Sequence, residues 1–309
     1  MKIVFLDEYS ICGRDISAIK SFGNYIGYET TSPDQVLERC ADAEVVISNK
    51  VVLDADTIAA LPKLRLICVA ATGMNNIDLN AAAEHGVEVR NAVGYSTYSV
   101  AETTLCSALS LLREGTYYAS FFKSGKYAVA ERIFNFDRPT AQLRGKRWGI
   151  IGLGNIGRNV AKVAEAFGAE VVYYSTTGKN NNPDFKRVEF DELMSSCDII
   201  SIHAPINDQT RNLVDARALS LMKQSAIIIN LGRGGIINEA ALAEALDNEA
   251  IAGAGVDVFT QEPIVAENPL LSVKHPERLV LAPHIGWTSV EARNKIVVMI
   301  ADNIKNFLN

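Results

Sequence analysis

The sequence predicts an α/β protein with two doubly wound parallel sheets. Three observations carry that expectation. Short, continuously apolar runs alternate with amphipathic helical stretches, as expected of parallel strands buried on both faces. The 309 residues are 48% hydrophobic, enough for two cores rather than one. A glycine-spaced turn, "GLGNIG", falls between a strand-like run and a helical run.

In chain order, "KIVFLD", "EVVISN", "LRLICVA" and "VEVRN" read as strands of a first sheet. "YSVAETTLCSALSLLREGTYYASFFKSG" follows, with apolar residues at helical spacing. Ser99 and Glu102 suit a capping box at its start. The stretches "RWGIIGLG", "EVVYYS", "DIISIHAP", "SAIIINLG", "AGAGVDVF" and "RLVLAPH" then give the six strands of a full dinucleotide-binding sheet. The tail "SVEARNKIVVMIADNIKNFLN" is amphipathic and helical, and returning to the first sheet would make that domain discontinuous. The expected division is 1–98 plus 288–309 for substrate and 99–287 for cofactor, with the active-site cleft between them.

Composition excludes several function classes. A net charge of −6 without any basic run argues against a nucleic-acid partner. The five cysteines lie far apart, without CxxC or metal-ligand spacing, and read as reduced thiols of a cytoplasmic protein. "MKIVFLDEYS" meets Asp7 and Glu8 too soon for a signal peptide. No window approaches the roughly 20 apolar residues of a membrane span.

The glycines carry chemistry. Gly152 permits the tight turn, Gly154 lets a pyrophosphate approach the backbone, and Gly157 lets helix and strand pack. The amides of Asn155 and Ile156 then point at phosphates from a helix N-terminus. This is a Rossmann-like cofactor cradle. An acidic residue usually grips the adenosine ribose at the end of the next strand. Eighteen positions past Gly157 this chain has Ser175, followed by Thr176 and Thr177. Hydroxyls bind a ribose or a 2′-phosphate, with Lys179 or Arg158 as sources of charge. The cofactor is therefore NAD or NADP, with NAD the default.

Three polar residues punctuate later strands: Arg233 in "NLGRGGIINE", Glu262 in "GVDVFTQEP" and His284 in "LAPHIGW". Taken singly, each reads as a surface charge or a loop residue. Together they supply what reduction of a 2-oxo acid needs. Arginine forks a carboxylate and the carbonyl oxygen. Histidine donates a proton near neutral pH. A carboxylate on the far ring nitrogen of an imidazole orients it and favours its protonated form.

"GRGGIINEAAL", "GAGVDVFTQEP" and "LAPHIGWTSVEA" resemble the signatures of the D-isomer-specific 2-hydroxyacid dehydrogenases. "VAATGMNNIDL" and "NAVGYSTYSVAE" resemble the family's substrate loop and hinge. The likeness spans nearly the whole chain and is strongest to the glycerate dehydrogenase/hydroxypyruvate reductase branch. It implies a catalytic Arg233, Glu262 and His284, with Arg233 and His284 also meeting the substrate. It implies substrate contacts from the amides of Thr72 and Gly73. His203, Ala204 and Pro205 would line the adenosine side. Leu231, Gly232 and Gly286 would lie near the nicotinamide, and Asp257 would touch its carboxamide.

Glu262 stands where the formate dehydrogenases carry glutamine, which argues against that branch. The chain has no evident substrate-phosphate cluster and no regulatory domain, which counts against phosphoglycerate. A D-lactate-type enzyme and a cofactor-sensing corepressor are the alternative readings. The family usually pairs through its cofactor domain, so a homodimer is expected. Phe121, Phe122, Phe134 and Phe136 offer an apolar extension for it.

Overall fold

The computed structural model describes all 309 residues, Met1–Asn309. The chain forms two compact units: Met1–Ser96 with Thr288–Asn309, and Thr97–Trp287.

The first unit holds a five-stranded parallel sheet. Its strands are β1 (Lys2–Phe5), β2 (Asn24–Gly27), β3 (Val45–Ser48), β4 (Leu66–Val69) and β5 (Glu88–Arg90). Their order is β2-β1-β3-β4-β5. β3 and β4 are buried throughout, as apolar runs at the centre of a two-sided sheet should be. Asp7, just past β1, is 2% exposed. Its carboxylate accepts the amides of Asn49 and Lys50 at 2.8 and 2.6 Å, which fixes the turn after β3. The C-terminal helix Val290–Leu308 packs in this unit, its apolar face led by Ile296, Ile300 and Ile304.

The second unit holds a seven-stranded parallel sheet. Its strands are β6 (Arg147–Ile151), β7 (Glu170–Tyr174), β8 (Lys186–Arg187), β9 (Ile199–Ile202), β10 (Ile227–Asn230), β11 (Gly253–Val256) and β12 (Leu279–Leu281). The order is β12-β11-β10-β9-β6-β7-β8. The order reverses at β6, so the crevice beyond its carboxyl end is where ligands bind in this architecture.

Three local expectations need correction. β2 and β8 were not anticipated, because β2 is half-exposed and β8 has two residues, too few for a pattern. The helix after the first sheet starts at Thr97, so Ser99 is not its cap. Ser99 Oγ instead donates to Gly286 O at 2.6 Å. The same helix stops at Leu112, and Gly115–Lys123 begins anew after Glu114 turns left-handed at φ 53°. No helix is long and apolar enough to cross a membrane.

Candidate active site

The chemistry gathers on loops that follow β10, β11 and β12. β10 is an all-apolar buried strand that ends in Asn230, which is 2% exposed. The Asn230 amide clamps the turn after it: Oδ1 accepts Gly232 N at 3.1 Å and Nδ2 donates to Arg233 O at 3.0 Å. A Cβ on Gly234 would stand 1.8 Å from Phe259 O, so only glycine lets this turn lie against the next loop. The turn presents Arg233, whose Nη1 donates to Gly232 O at 2.8 Å and whose guanidinium meets no carboxylate.

The loop after β11 carries Glu262. Its Oε1 accepts Phe259 N at 3.0 Å, and Oε2 lies 2.6 Å from His284 Nδ1. With Glu262 on Nδ1, Nε2 of His284 is the nitrogen left for a substrate. Glu239, a residue the sequence does not single out, braces the loop from the side. It accepts Thr260 N at 2.6 Å and Asn268 Nδ2 at 2.5 Å.

His284 itself has φ 55°, a conformation that costs a non-glycine residue about 1–3 kcal/mol. Asp257 holds it there. His284 N donates to Asp257 O at 2.9 Å, and the amides of Ile285 and Gly286 each donate to the Asp257 carboxylate at 2.8 Å. Burial pushes the Asp257 carboxyl above its usual range, and the two amides work against that rise. Asp257 thus has a positioning role beyond the carboxamide contact implied by the resemblance.

The phosphate turn tests whether a dinucleotide fits. Gly152 sits at φ 92°, and a Cβ there would come within 3.0 Å of Ala204 N. A Cβ on Gly157 would stand 2.3 Å from Gly152 O, which is the close helix–strand packing expected of it. A Cβ on Gly154 would meet nothing within 4 Å. Glycine at 154 therefore answers no protein neighbour, and the open space in front of it suits a pyrophosphate at the N-terminus of the helix Asn155–Ala166. His203, just past β9, lies beside this turn. Its Nε2 is 3.1 Å from Ser201 Oγ, which also accepts Trp148 Nε1 at 2.9 Å. Its Nδ1 is buried without a partner, and burial lowers the ring's pKa to about 3. His203 is therefore held neutral beside the glycine turn. Ala204, Pro205, Leu231 and Gly232 follow the carboxyl ends of the paired parallel strands β9 and β10. The residues present fit a dinucleotide.

Ser175 is 4% exposed, and its Oγ accepts Asn180 N at 3.2 Å. Asn180 Nδ2 donates to Leu153 O at 2.7 Å, which ties the loop after β7 to the glycine turn. Thr72 and Gly73 belong to the first unit, after β4. Thr72 is fixed through Oγ1 to Ala92 O at 2.9 Å, and neither backbone amide donates to a protein acceptor. Cys40, Cys68 and Cys197 are buried, Cys12 and Cys106 are exposed, and burial pushes the Cys68 thiol up to about 12.

Residues 105–286 match the family model of the D-isomer specific 2-hydroxyacid dehydrogenase NAD binding domain. The chain belongs to the D-2-hydroxyacid dehydrogenases. As a D-2-hydroxyacid dehydrogenase it is an NAD(P)-dependent oxidoreductase acting on CH–OH, as its motifs implied. It is 36% identical over 311 residues to glycerate dehydrogenase of Methylorubrum extorquens, covering 99% of this chain and 96% of that one. It is 34% identical over 316 residues to hydroxypyruvate reductase of Blautia hydrogenotrophica, covering 100% and 97%. The fold is similar to that of NADPH-dependent glyoxylate/hydroxypyruvate reductase of Sinorhizobium meliloti in complex with NADP and malonate. That likeness has a TM-score of 0.83 at 27% identity, covering 100% of this dehydrogenase and 93% of that chain.

Proposed function

We propose that this enzyme interconverts hydroxypyruvate and D-glycerate, with glyoxylate as a second 2-oxo acid. The observation that carries the chemistry is the 2.6 Å pairing of His284 with Glu262 at the ends of neighbouring strands. The glycerate dehydrogenase and hydroxypyruvate reductase relatives support the substrate. Arg233 forks the substrate carboxylate and holds the C2 oxygen. A nicotinamide cofactor, when bound in the glycine cradle, would supply the hydride for C2. His284 Nε2 gives its proton to the C2 oxygen, which balances the hydride and leaves a hydroxyl. Glu262 keeps the ring aligned and offsets the charge it carries before transfer. In the reverse direction the neutral ring takes the hydroxyl proton.

The test is kcat/KM with hydroxypyruvate, glyoxylate and pyruvate, using NADH and NADPH. His284→Ala should lose about 10²–10⁴ in kcat while still binding cofactor. Near-native turnover by that variant would remove His284 from the role. Tight cofactor binding without turnover of any 2-oxo acid would favour a sensor instead.

We also propose a homodimer. Phe122, Phe134 and Phe136 are 66%, 70% and 86% exposed, on a segment that also exposes Val129 and Ile133. Such a run of bare apolar side chains suits cover by a second copy. Sedimentation at micromolar concentration should show a dimer that Phe134→Ser/Phe136→Ser weakens. A native protein that stays monomeric would overturn it.

A further inference from the structure

No carboxylate stands directly after β7: the connection to β8, residues 175–185, holds only Asp184, near β8, and no arginine. The fold brings a cation there from another element. β8 pairs in parallel with β7, with Arg187 opposite Tyr173. From that edge Arg187 Nη1 donates to Gly178 O at 2.8 Å and to Asn181 Oδ1 at 3.2 Å. Nε and Nη2 make no hydrogen bond to protein, and Nη2 lies 3.8 Å from where a Cβ on Gly178 would stand. The guanidinium is thus fixed by one arm against the loop, with the other free.

The loop in turn belongs to the cofactor cradle, because Asn180 ties it to Leu153 inside the glycine turn at 2.7 Å. Two hydroxyl residues belong to the same loop. Thr176 is half-buried, and Thr177 Oγ1 accepts Lys179 N at 3.3 Å and keeps its own proton to donate. Arg158, in the first turn of the phosphate helix, is held to Asn155 Oδ1 at 2.5 Å and adds positive charge on that helix. A neutral ribose needs hydroxyl partners only. A 2′-phosphate carries a charge of about −1.5 to −2 and rewards a planar fork of donors, provided no carboxylate repels it.

We infer that Arg187 recognises a 2′-phosphate on the adenosine ribose, so that this enzyme takes NADPH in preference to NADH. The inference rests on the reading of the glycine turn as a dinucleotide cradle, and it replaces the NAD default. Sequence position hides Arg187, since it stands twelve residues past Ser175 and reaches the loop only through strand pairing.

Calorimetric titration with 2′,5′-ADP and 5′-AMP tests this without turnover, because the two differ only in the 2′-phosphate. The native protein should bind 2′,5′-ADP at least about ten-fold more tightly, the worth of one charge-assisted hydrogen bond. Arg187→Ala should erase that advantage, Arg187→Lys should keep part of it, and the NADPH/NADH ratio of kcat/KM should fall in the same order. Equal affinity of the native protein for both nucleotides would overturn the inference, as would an advantage that survives Arg187→Ala. An R187A protein that lost both nucleotides equally would also overturn it, since that is damage to the loop. Failure of the native protein to bind any adenosine nucleotide or dinucleotide would overturn the cradle itself, and this inference with it.

Discussion

At the scale of single residues, the site depends on side chains that hold backbone rather than substrate. Asp257 keeps His284 in the left-handed region by accepting two amides. Asp257→Asn turns an amide donor toward an amide donor. Losing one buried acceptor should destabilise the protein by about 1–3 kcal/mol, read from the urea midpoint. Hydroxypyruvate turnover should fall as well, because the His284 turn loosens. His203 makes a separate prediction. The unfolded chain takes a proton on this ring near pH 6.5, whereas the native ring resists it down to about 3. Stability is therefore whole above pH 6.5 and lost as the pH falls toward 3. At pH 5 the loss is about 2 kcal/mol. His203→Gln should flatten that part of the stability–pH curve, and an unchanged slope would show that the ring titrates freely. The Glu262–His284 pairing was legible in the sequence because the two, with Arg233, form an ordered set after apolar strands rather than isolated charges. Asn230 and Glu239 were not legible, because their partners are backbone groups that only the folded turns bring near.

At the scale of elements, the glycine turn separates fold from function. Gly157→Ala drives a methyl into Gly152 O, so it should destabilise the protein by about 1–3 kcal/mol. Gly154→Ala meets only open space and should fold normally, yet it places a methyl where the pyrophosphate approaches. Its urea midpoint should stay native while NADH affinity, followed by fluorescence, drops at least about ten-fold. Unaltered affinity would remove Gly154 from the cradle. The buried strands were readable from apolar runs alone. The two strands that escaped, β2 and β8, are short edge elements whose pairing comes from their neighbours. The break at Glu114 was equally hidden, since a left-handed glutamate has no composition signal.

At the scale of the whole molecule, binding and folding are linked. A saturating dinucleotide at a hundred times its Kd should stabilise the protein by about 2.7 kcal/mol, visible as a rise in Tm. Lack of any shift with both NADH and NADPH would contradict the cradle. The division of the chain has a further consequence. Arg233, Asp257, Glu262, His284 and the glycine turn all fall within Thr97–Trp287, one uninterrupted stretch. The other unit is assembled from two separate pieces of sequence. The acid–base pair and the glycine turn thus lie on one continuous segment of chain, and Thr72 and Gly73 lie outside it. Exchange of genetic material at two junctions, near residues 96 and 288, would re-equip the chain for another acid while leaving its acid–base pair untouched.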